Sequence, residues 1–177
     1  MAEPITVLYV CTANICRSLY ADGRTRQILA GADDLVVASA GTHGFVDQPL
    51  DTDMRDQLEL RGEVPQLSSQ RLTAALVSSA DVVLTATAAH RAFVLDEWPF
   101  AATRTFTMSQ FAEALGQVGE DVPVGEVVRA AYRARGPARS SGDITDPYRR
   151  GRVVSAEVAS RLDEIVSRIV PRLRGRR

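Results

Sequence analysis

Between residues 11 and 18 the chain reads Cys11-Thr12-Ala13-Asn14-Ile15-Cys16-Arg17-Ser18, and this octet decides the fold. It follows an apolar, β-prone run, Ile5-Thr6-Val7-Leu8-Tyr9-Val10, and precedes a segment of helical character. A strand that leads through a tight loop into a helix forms an anion cradle. Backbone N–H groups of such a loop converge on one oxyanion, and the positive end of the helix adds to the attraction. The octet therefore predicts a phosphate-binding loop after the first strand.

Three side chains of the octet suit phosphate chemistry. A cysteine beside an arginine at a helix start is favoured as the thiolate, so Cys11 is the candidate nucleophile. The planar guanidinium of Arg17 matches two phosphate oxygens with a directionality that lysine does not reproduce. Ser18 can donate a hydrogen bond to the thiolate. The alternative for a single cysteine at the end of a strand is an inert, buried hydrophobic residue.

Beyond the octet, apolar strand patterns alternate with helical patterns. Strands are predicted over residues 35–38, 80–85 and 104–106, and residues 39–44 are predicted to form a loop. Helices are predicted over residues 18–29, 51–61, 72–78, 87–98, 110–115, 124–135 and 154–170. Asp51 and Thr87 are predicted to cap two of them, and Pro171 is predicted to end or kink the last. The alternation predicts an α/β fold, a three-layer α/β/α sandwich around a mostly parallel sheet of about four strands. Ligands of such sheets bind beyond the carboxyl ends of the strands, where Cys11 lies.

Length and composition indicate a single domain over residues 1–177. With 45% hydrophobic and 24% charged residues, the chain has the composition of a soluble globular protein. A formal net charge of −1 gives no general case for binding nucleic acid, and no apolar run approaches the length of a membrane span. The N-terminus lacks the pattern of a secretory signal. Both cysteines, Cys11 and Cys16, lie in the octet, which argues against a disulfide framework and favours a cytoplasmic location.

Displacement of a phenolate or an alkoxide from phosphorus needs a proton donor, which neither Cys11 nor Arg17 supplies. The longest irregular segment, residues 136–151, is rich in glycine, serine, proline and charge, and long loops of this kind are often functional. It contains two candidate acids, Asp143 and Asp146. An aspartate before proline is also a common turn former, so residue type alone leaves the choice open.

The two histidines of the chain, His43 and His90, lie far apart in the sequence and lack the spacing of metal ligands. Each is interpreted as a loop or helix-surface residue. No metal site and no cofactor are predicted.

The octet and its position near the N-terminus resemble the low-molecular-weight protein tyrosine phosphatase family, which also includes arginine phosphatases and arsenate reductases. The resemblance extends to residues 39–42, to residues 80–90 and to Asp146-Pro147-Tyr148. It implies that Asp146 is the general acid and that Phe45 and Tyr148 flank the substrate. The implied phosphate-binding loop consists of Thr12, Ala13, Asn14, Ile15, Cys16, Arg17 and Ser18, with Asn14 as its brace.

The activity that the resemblance implies is hydrolysis of phosphotyrosine in proteins through a phosphocysteine. Cys11 attacks phosphorus and Asp146 protonates the leaving oxygen. Water then releases phosphate while Asp146 accepts a proton. The implied partners are tyrosine-phosphorylated proteins, with a cognate tyrosine kinase among the candidates, and we expect a monomer or a weak dimer.

Several alternatives stay open on this fold. Ile15 stands where isoleucine accompanies tyrosine phosphatases and threonine accompanies arginine phosphatases, which favours phosphotyrosine over phosphoarginine. An arsenate reductase needs further cysteines, and none follows Cys16, although an external thiol could substitute. A catalytically inactive module that binds phosphorylated ligands is the third alternative. Cys16 itself is either a buried loop side chain or, as the family suggests, a thiol that forms a reversible disulfide with oxidised Cys11.

The chain departs from the family pattern at several places. Ala13 replaces a glycine, and if that residue needs a positive φ, its methyl group costs about 1–2 kcal/mol and weakens activity. Leu19 replaces a proline that favours a helix start. Phe45 lies near the position of a family tryptophan, after a shortening by one residue. Residues 116–142 are longer than usual and carry no functional interpretation.

Overall fold

The computed structural model of the chain describes residues 4–174 and contains one parallel sheet of four strands. The strands are β1 Ile5–Cys11, β2 Leu35–Gly41, β3 Val82–Thr85 and β4 Thr105–Thr107. Their order across the sheet is β2-β1-β3-β4, and all three pairings are parallel. The predicted α/β class is therefore confirmed. Of the predicted domain, residues 1–3 and 175–177 lie outside the described part of the chain.

Helices connect the strands, as the alternating pattern predicts. They are α1 Arg17–Leu29, α2 Thr52–Glu59, α3 Ala74–Ser79, α4 Ala88–Glu97, α5 Met108–Leu115, α6 Val124–Ala134 and α7 Gly151–Leu173. Short 3₁₀ turns cover Pro99–Arg104 and Ser140–Gly142. Pro171, predicted to end or kink the last helix, lies in the final turn of α7. Within residues 4–174, no helix is long and apolar enough to cross a membrane.

The sheet separates two hydrophobic clusters, which completes the three layers. Along β1, Val7 and Tyr9 belong to the cluster under α1, α5 and α7, whereas Leu8 and Val10 belong to the cluster under α3 and α4. All four side chains are buried, because both faces of the strand are covered. A continuous apolar run is the expected sequence of such a parallel strand.

The carboxyl ends of the strands meet at one edge of the sheet. Cys11 pairs with Gly41 at the end of β2, and Val10 pairs with Thr85 at the end of β3. The segments that follow these strands therefore lie side by side. This edge is where the octet begins.

Side-chain caps fix the starts of several helices. Asp51 accepts from the N–H of Met54 at 3.3 Å and begins α2, and Thr87 accepts from the N–H of His90 at 3.2 Å and begins α4. Both caps were predicted from residue type and position, since short polar side chains satisfy the free N–H groups of a first turn.

One predicted loop is wrong in part. Residues 39–44 were predicted to form a loop, but Ser39, Ala40 and Gly41 complete β2. Their main chains pair with residues 9–11 of β1, so the ladder continues past the point where the apolar run ends. Small residues give no apolar alternation, so the sequence did not reveal a strand that is buried by its neighbours.

Candidate active site

The octet forms a cradle between the end of β1 and the start of α1, with the thiol of Cys11 inside it. Cys11 is buried, and its Sγ lies 2.9 Å from Oγ of Ser18. The same oxygen accepts a hydrogen bond of 2.8 Å from Nδ2 of Asn14. Because Ser18 accepts from Asn14, its own hydroxyl hydrogen is free to point at the sulfur. The contact thus has the geometry that stabilises a thiolate.

Asn14 holds the cradle in shape from a buried position. Its φ of 56° lies in the left-handed region, which asparagine tolerates better than most residues. Its Oδ1 accepts from the N–H of Gln70 at 2.9 Å, so the side chain links the cradle to the segment before α3. Ala13 is not among the residues with positive φ, so the condition under which its methyl group would be strained is not met. The left-handed residue is the next one along the chain.

The end of β2 supports the cradle from the other side. Thr42 and His43 donate their N–H groups to the carbonyls of Cys11 and Thr12, each at 2.9 Å. A Cβ atom at Gly41 would come within 2.6 Å of the Thr12 carbonyl oxygen, so only glycine permits this approach. The segment 39–42 therefore braces the phosphate-binding loop.

Arg17 joins the cradle to the loop that carries the candidate acids. Its NH1 donates to the Ile144 carbonyl at 3.0 Å, and its NH2 lies 3.1 Å from Oδ2 of Asp146. The Arg17 side chain is only 6% exposed, whereas that of Asp146 is 55% exposed. Within residues 4–174, Nε of Arg17 is buried without a hydrogen-bond partner. A buried donor of this kind is suited to an incoming oxyanion.

The structure separates the two candidate acids. Asp146 faces the cradle, and its Oδ1 accepts from the N–H of Tyr148 at 3.3 Å. Asp143 instead accepts from the N–H of Ala88 at 2.7 Å and so binds the first turn of α4. Its neighbour Ile144 donates its N–H to the Ala86 carbonyl at 2.9 Å. These contacts dock the acid loop at the sheet edge with Asp146 toward the cradle.

A pocket of about 160 Å³ opens above the cradle. It brings together residues that the sequence analysis placed in the site, namely Cys11, Thr12, Ala13, Ile15, Cys16, Arg17, Phe45, Asp146 and Tyr148. Phe45 and Tyr148, which are 56% and 42% exposed, line the pocket on its solvent side. A second cavity of about 320 Å³ shares Ile15, Phe45 and Tyr148 and continues along residues 48–52. The pocket thus combines charged side chains beside Cys11, from Arg17 and Asp146, with a rim formed by the aromatic residues Phe45 and Tyr148.

His90 is a site residue that the sequence analysis missed. Its Nε2 lies 2.8 Å from Oγ1 of Thr12, and its Nδ1 lies 2.8 Å from Oγ1 of Thr87. Burial, and then the nearby charge of Arg17, lower the pKa of His90 to about 4. His90 does lie on a helix and is half-buried, but its interpretation as a helix-surface residue missed the contact with the cradle. The available signal was its place in the first turn of a helix that begins at the same sheet edge as the octet.

The other histidine agrees with its interpretation. His43 is an exposed loop residue, with Nδ1 at 3.1 Å from Oγ1 of Thr42 and its ring centroid 5.6 Å from that of Phe93. Among residues 4–174, no group of three or more His, Cys, Asp or Glu side chains could hold a metal ion.

Cys16 is buried at the N-cap of α1 and forms no disulfide with Cys11. Burial raises the pKa of the Cys16 thiol, and the carboxylate of Asp51 raises it further. Cys16 is therefore a neutral thiol at physiological pH, in contrast to what a resting nucleophile requires.

Comparisons with known proteins place the chain among phosphatases. A family model described as low molecular weight phosphotyrosine protein phosphatase matches residues 6–124. A probable low molecular weight protein-tyrosine-phosphatase, EpsP, of Ralstonia nicotianae is 26% identical over 170 residues, which cover 96% of each chain. The low molecular weight protein-tyrosine-phosphatase Etp of Escherichia coli K12 is 32% identical over 109 residues, 61% of this chain and 72% of Etp.

Arginine phosphatases are also similar to this chain. The protein-arginine-phosphatase of Geobacillus stearothermophilus is 24% identical over 171 residues, 96% of this chain and 97% of that protein. The solved YwlE arginine phosphatase of the same organism superposes with a TM-score of 0.76 at 24% identity, covering 96% of this chain and 93% of that chain. Wzb of Vibrio vulnificus, solved with benzylphosphonate, gives a TM-score of 0.70 at 24% identity, covering 94% and 97%. These superpositions show the same fold.

Proposed function

The chain belongs to the low molecular weight phosphotyrosine protein phosphatase family, and we propose that it hydrolyses phosphotyrosine in proteins through a phosphocysteine at Cys11. The observation that carries this proposal is the contact of Cys11 Sγ with Ser18 Oγ at 2.9 Å, inside a cradle floored by the buried Arg17. A charge-assisted hydrogen bond to sulfur and an adjacent guanidinium both favour the thiolate.

Phosphate binding requires Arg17 to change partners. Its NH2 contacts Asp146, while its Nε has no partner within the described residues. An incoming phosphate accepts from both groups in the bidentate manner of guanidinium pairs. Because phosphate takes the place of the carboxylate on Arg17, Asp146 is released toward the leaving oxygen.

Two displacements complete the reaction. Cys11 Sγ forms a bond to phosphorus while the bond to the tyrosine oxygen breaks, and protonated Asp146 transfers its proton to that oxygen. In the second step water forms a bond to phosphorus as the S–P bond breaks, and the Asp146 carboxylate takes a proton from the water. Inorganic phosphate leaves and Cys11 returns as the thiolate. Cradle N–H groups and Arg17 hold the three equatorial oxygens throughout.

The rim of the pocket favours an aromatic phosphoester. Phe45, Tyr148 and Ile15 offer apolar contacts on the way to Cys11. Removing a phenyl ring from water against these residues is favourable. Removing the guanidinium of phosphoarginine from water against the same apolar residues is costly. Phosphoarginine is the second candidate substrate, because the Geobacillus relative is a protein-arginine-phosphatase. Arsenate reduction with an external thiol stays an alternative.

His90 is proposed as a positioning residue. We assign its proton to Nε2, so that Thr87 donates to Nδ1 and His90 donates to Oγ1 of Thr12. The hydroxyl hydrogen of Thr12 is then free to face the substrate. A second positive charge beside Arg17 is avoided because burial keeps the imidazole neutral.

We also propose the cellular setting in which this phosphatase acts. Residues 1–177 act as one phosphatase domain in the cytoplasm, as a monomer or a weak dimer, on tyrosine-phosphorylated proteins that include a cognate tyrosine kinase. Support comes from the two unpaired cysteines and from relatives named as protein-tyrosine-phosphatases. Cys16 is proposed to form a disulfide with Cys11 only after Cys11 has been oxidised.

Peptides carrying phosphotyrosine and phosphoarginine, treated side by side, test the function. We expect faster phosphate release from phosphotyrosine, and acid quenching during turnover is expected to trap phosphate on Cys11, detectable by mass spectrometry. Cys11→Ser is the control and should release none. Binding of phosphopeptide without release by the wild type would identify an inactive binding module instead.

A further inference from the structure

A cavity of about 590 Å³ lies at the end of the sheet opposite to Cys11. It opens beside Ile5 at the start of β1 and beside Asp81, which directly precedes β3. Ile5 and Cys11 are the two ends of β1, which strand geometry separates by about 20 Å. Cavities of about 300–1,000 Å³ are the usual size of small-molecule sites.

One wall of this cavity is a face of α6. Residues at helical spacing along that face line it, namely Gly125, Val128, Arg129, Tyr132 and Arg133. The opposite face of the helix buries Val127 and Ala131 in the main core. The family model matches only residues 6–124, so the helix that builds the wall follows the matched segment. Part of the segment that carried no functional interpretation therefore forms one wall of a concave site away from the cradle.

The charges in the cavity favour an anion. Three arginines line it against one acid, Asp81, whose Oδ2 already accepts from the N–H of Thr6 at 2.7 Å. The guanidinium of Arg104 donates from NH2 to the Val77 carbonyl at 3.4 Å and lies 5.7 Å from the centre of the Phe100 ring, while its buried Nε finds no hydrogen-bond partner within residues 4–174. Arg133 makes no ion pair in that part of the chain, and Arg129 pairs with Glu126 at an exposed 3.1 Å contact. A buried, unsatisfied guanidinium N–H is a place where a ligand group is expected.

The same cavity also offers apolar surface. Ile5, Val128 and the ring of Tyr132 line it beside Arg104. A planar carboxylate fits the fork of a guanidinium, while an attached ring is removed from water against the apolar residues. The carboxylate of Asp81 disfavours a dianion such as a phosphate group. We propose that this cavity binds a small aromatic carboxylate, at a site separate from the phosphate cradle.

Titration of the full-length protein with 2-naphthoate, followed by amide chemical shifts in ¹H–¹⁵N spectra, tests the site. We expect saturable shifts at Ile5, Asp81 and Gly125, with the amides of residues 12–18 unaffected. The neutral 2-naphthalenemethanol should cause no saturable shift. Saturable shifts confined to residues 12–18, equal binding of the neutral alcohol, or no saturation at all would overturn the proposal.

Variants separate the cavity from nonspecific binding. Gly125 lines the cavity and a Cβ there meets no atom within 4 Å, so Gly125→Phe adds a bulky ring at the lining and leaves every arginine in place. We expect Gly125→Phe, Arg104→Gln and Arg133→Gln each to weaken binding about tenfold or more. Arg150→Gln, an exposed arginine outside the cavity, should bind like the wild type. Unchanged affinity in both Gly125→Phe and Arg133→Gln would refute the site, and none of these measurements depends on catalysis.

Discussion

Nε2 of His90 lies 2.8 Å from Oγ1 of Thr12 and joins the first turn of α4 to the phosphate-binding loop. The two residues are 78 positions apart, and their meeting depends on the parallel alignment of β1 and β3. Asp143 binds the same turn through the N–H of Ala88. The start of α4 therefore supports both the cradle and the acid loop.

Replacement of His90 by glutamine should slow turnover by weakening the support of Thr12. Loss of a hydrogen bond worth about 0.5–1.5 kcal/mol corresponds to a decrease of roughly 2- to 12-fold in kcat/KM for p-nitrophenyl phosphate. Thr12→Val should give a similar loss, and the double variant should lose little more. The matched control is His43→Gln, an exposed histidine that should leave turnover unchanged. Fully additive losses in the double variant would show that the two side chains act separately.

The lowered pKa of His90 predicts a pH dependence of stability. Its folded value of about 4 lies below the ordinary 6.5, so the unfolded chain binds more protons between these values. The contribution of the neutral His90 side chain to the free energy of unfolding is therefore fully present above about pH 6.5, and it is lost as the pH falls toward 4. Thermal unfolding across pH 4–7 should show a shallower decline for His90→Gln than for the wild type. An identical slope in both proteins would contradict the assignment of a buried neutral imidazole.

Ser18→Ala should reduce the reactivity of Cys11, because the thiolate loses its hydroxyl donor. A hydrogen bond to a charged group is worth about 1.5–3 kcal/mol, which predicts a loss of roughly 10- to 150-fold in kcat/KM. Alkylation by iodoacetate in mildly acidic buffer should slow in parallel, and vanadate should protect the wild type. Ser68→Ala, whose hydroxyl lies near Asp47 outside the cradle, serves as the control. A Cys11 that alkylates no faster than free cysteine would remove the basis of the mechanism.

Asp146→Ala and Asp143→Ala should have different effects. Loss of the general acid predicts a decrease of about 10²–10⁴-fold in kcat for phosphotyrosine peptide, and a smaller decrease for p-nitrophenyl phosphate, whose leaving group needs less protonation. Asp143→Ala removes the acceptor for the Ala88 N–H and should therefore lower the melting temperature. Its loss of kcat should be smaller than that of Asp146→Ala. If Asp143→Ala causes the larger, leaving-group-dependent loss, the acid has been assigned to the wrong residue.

Ile15→Thr should shift the substrate preference. Ile15 lines both the pocket over the cradle and the adjoining cavity, so threonine exchanges an apolar contact for a hydroxyl. The ratio of kcat/KM for phosphotyrosine over phosphoarginine should fall, by about tenfold if one apolar contact decides it. Val46→Thr, a similar change on an exposed residue absent from both cavity linings, is the control. An unchanged ratio in Ile15→Thr would assign the preference to other residues.

Local pattern was sufficient for much of the fold and for the nucleophile. The apolar run before Cys11, the alternation of elements and the caps at Asp51 and Thr87 are all properties of neighbouring residues, and each was predicted from them. By contrast, the strand residues Ser39–Gly41 went unrecognised because their burial is supplied by β1 and the cradle. Their small side chains carry no periodic signal of their own.

The amino-acid sequence by itself determined that a cysteine and an arginine would share a cradle at the end of the first strand, since seven consecutive positions hold them within reach of one anion. The resemblance at Asp146-Pro147-Tyr148 also implied the acid, and the structure adds that Asp146 lines the pocket with Cys11 while Asp143 binds the N–H of Ala88. Only the tertiary structure decided that Asn14 rather than Ala13 takes the left-handed conformation, and that His90 supports Thr12. The docking of the acid loop and the role of His90 rest on contacts between residues that are far apart in the chain. Such contacts exist only after the parallel strands have brought their carboxyl ends to one edge of the sheet.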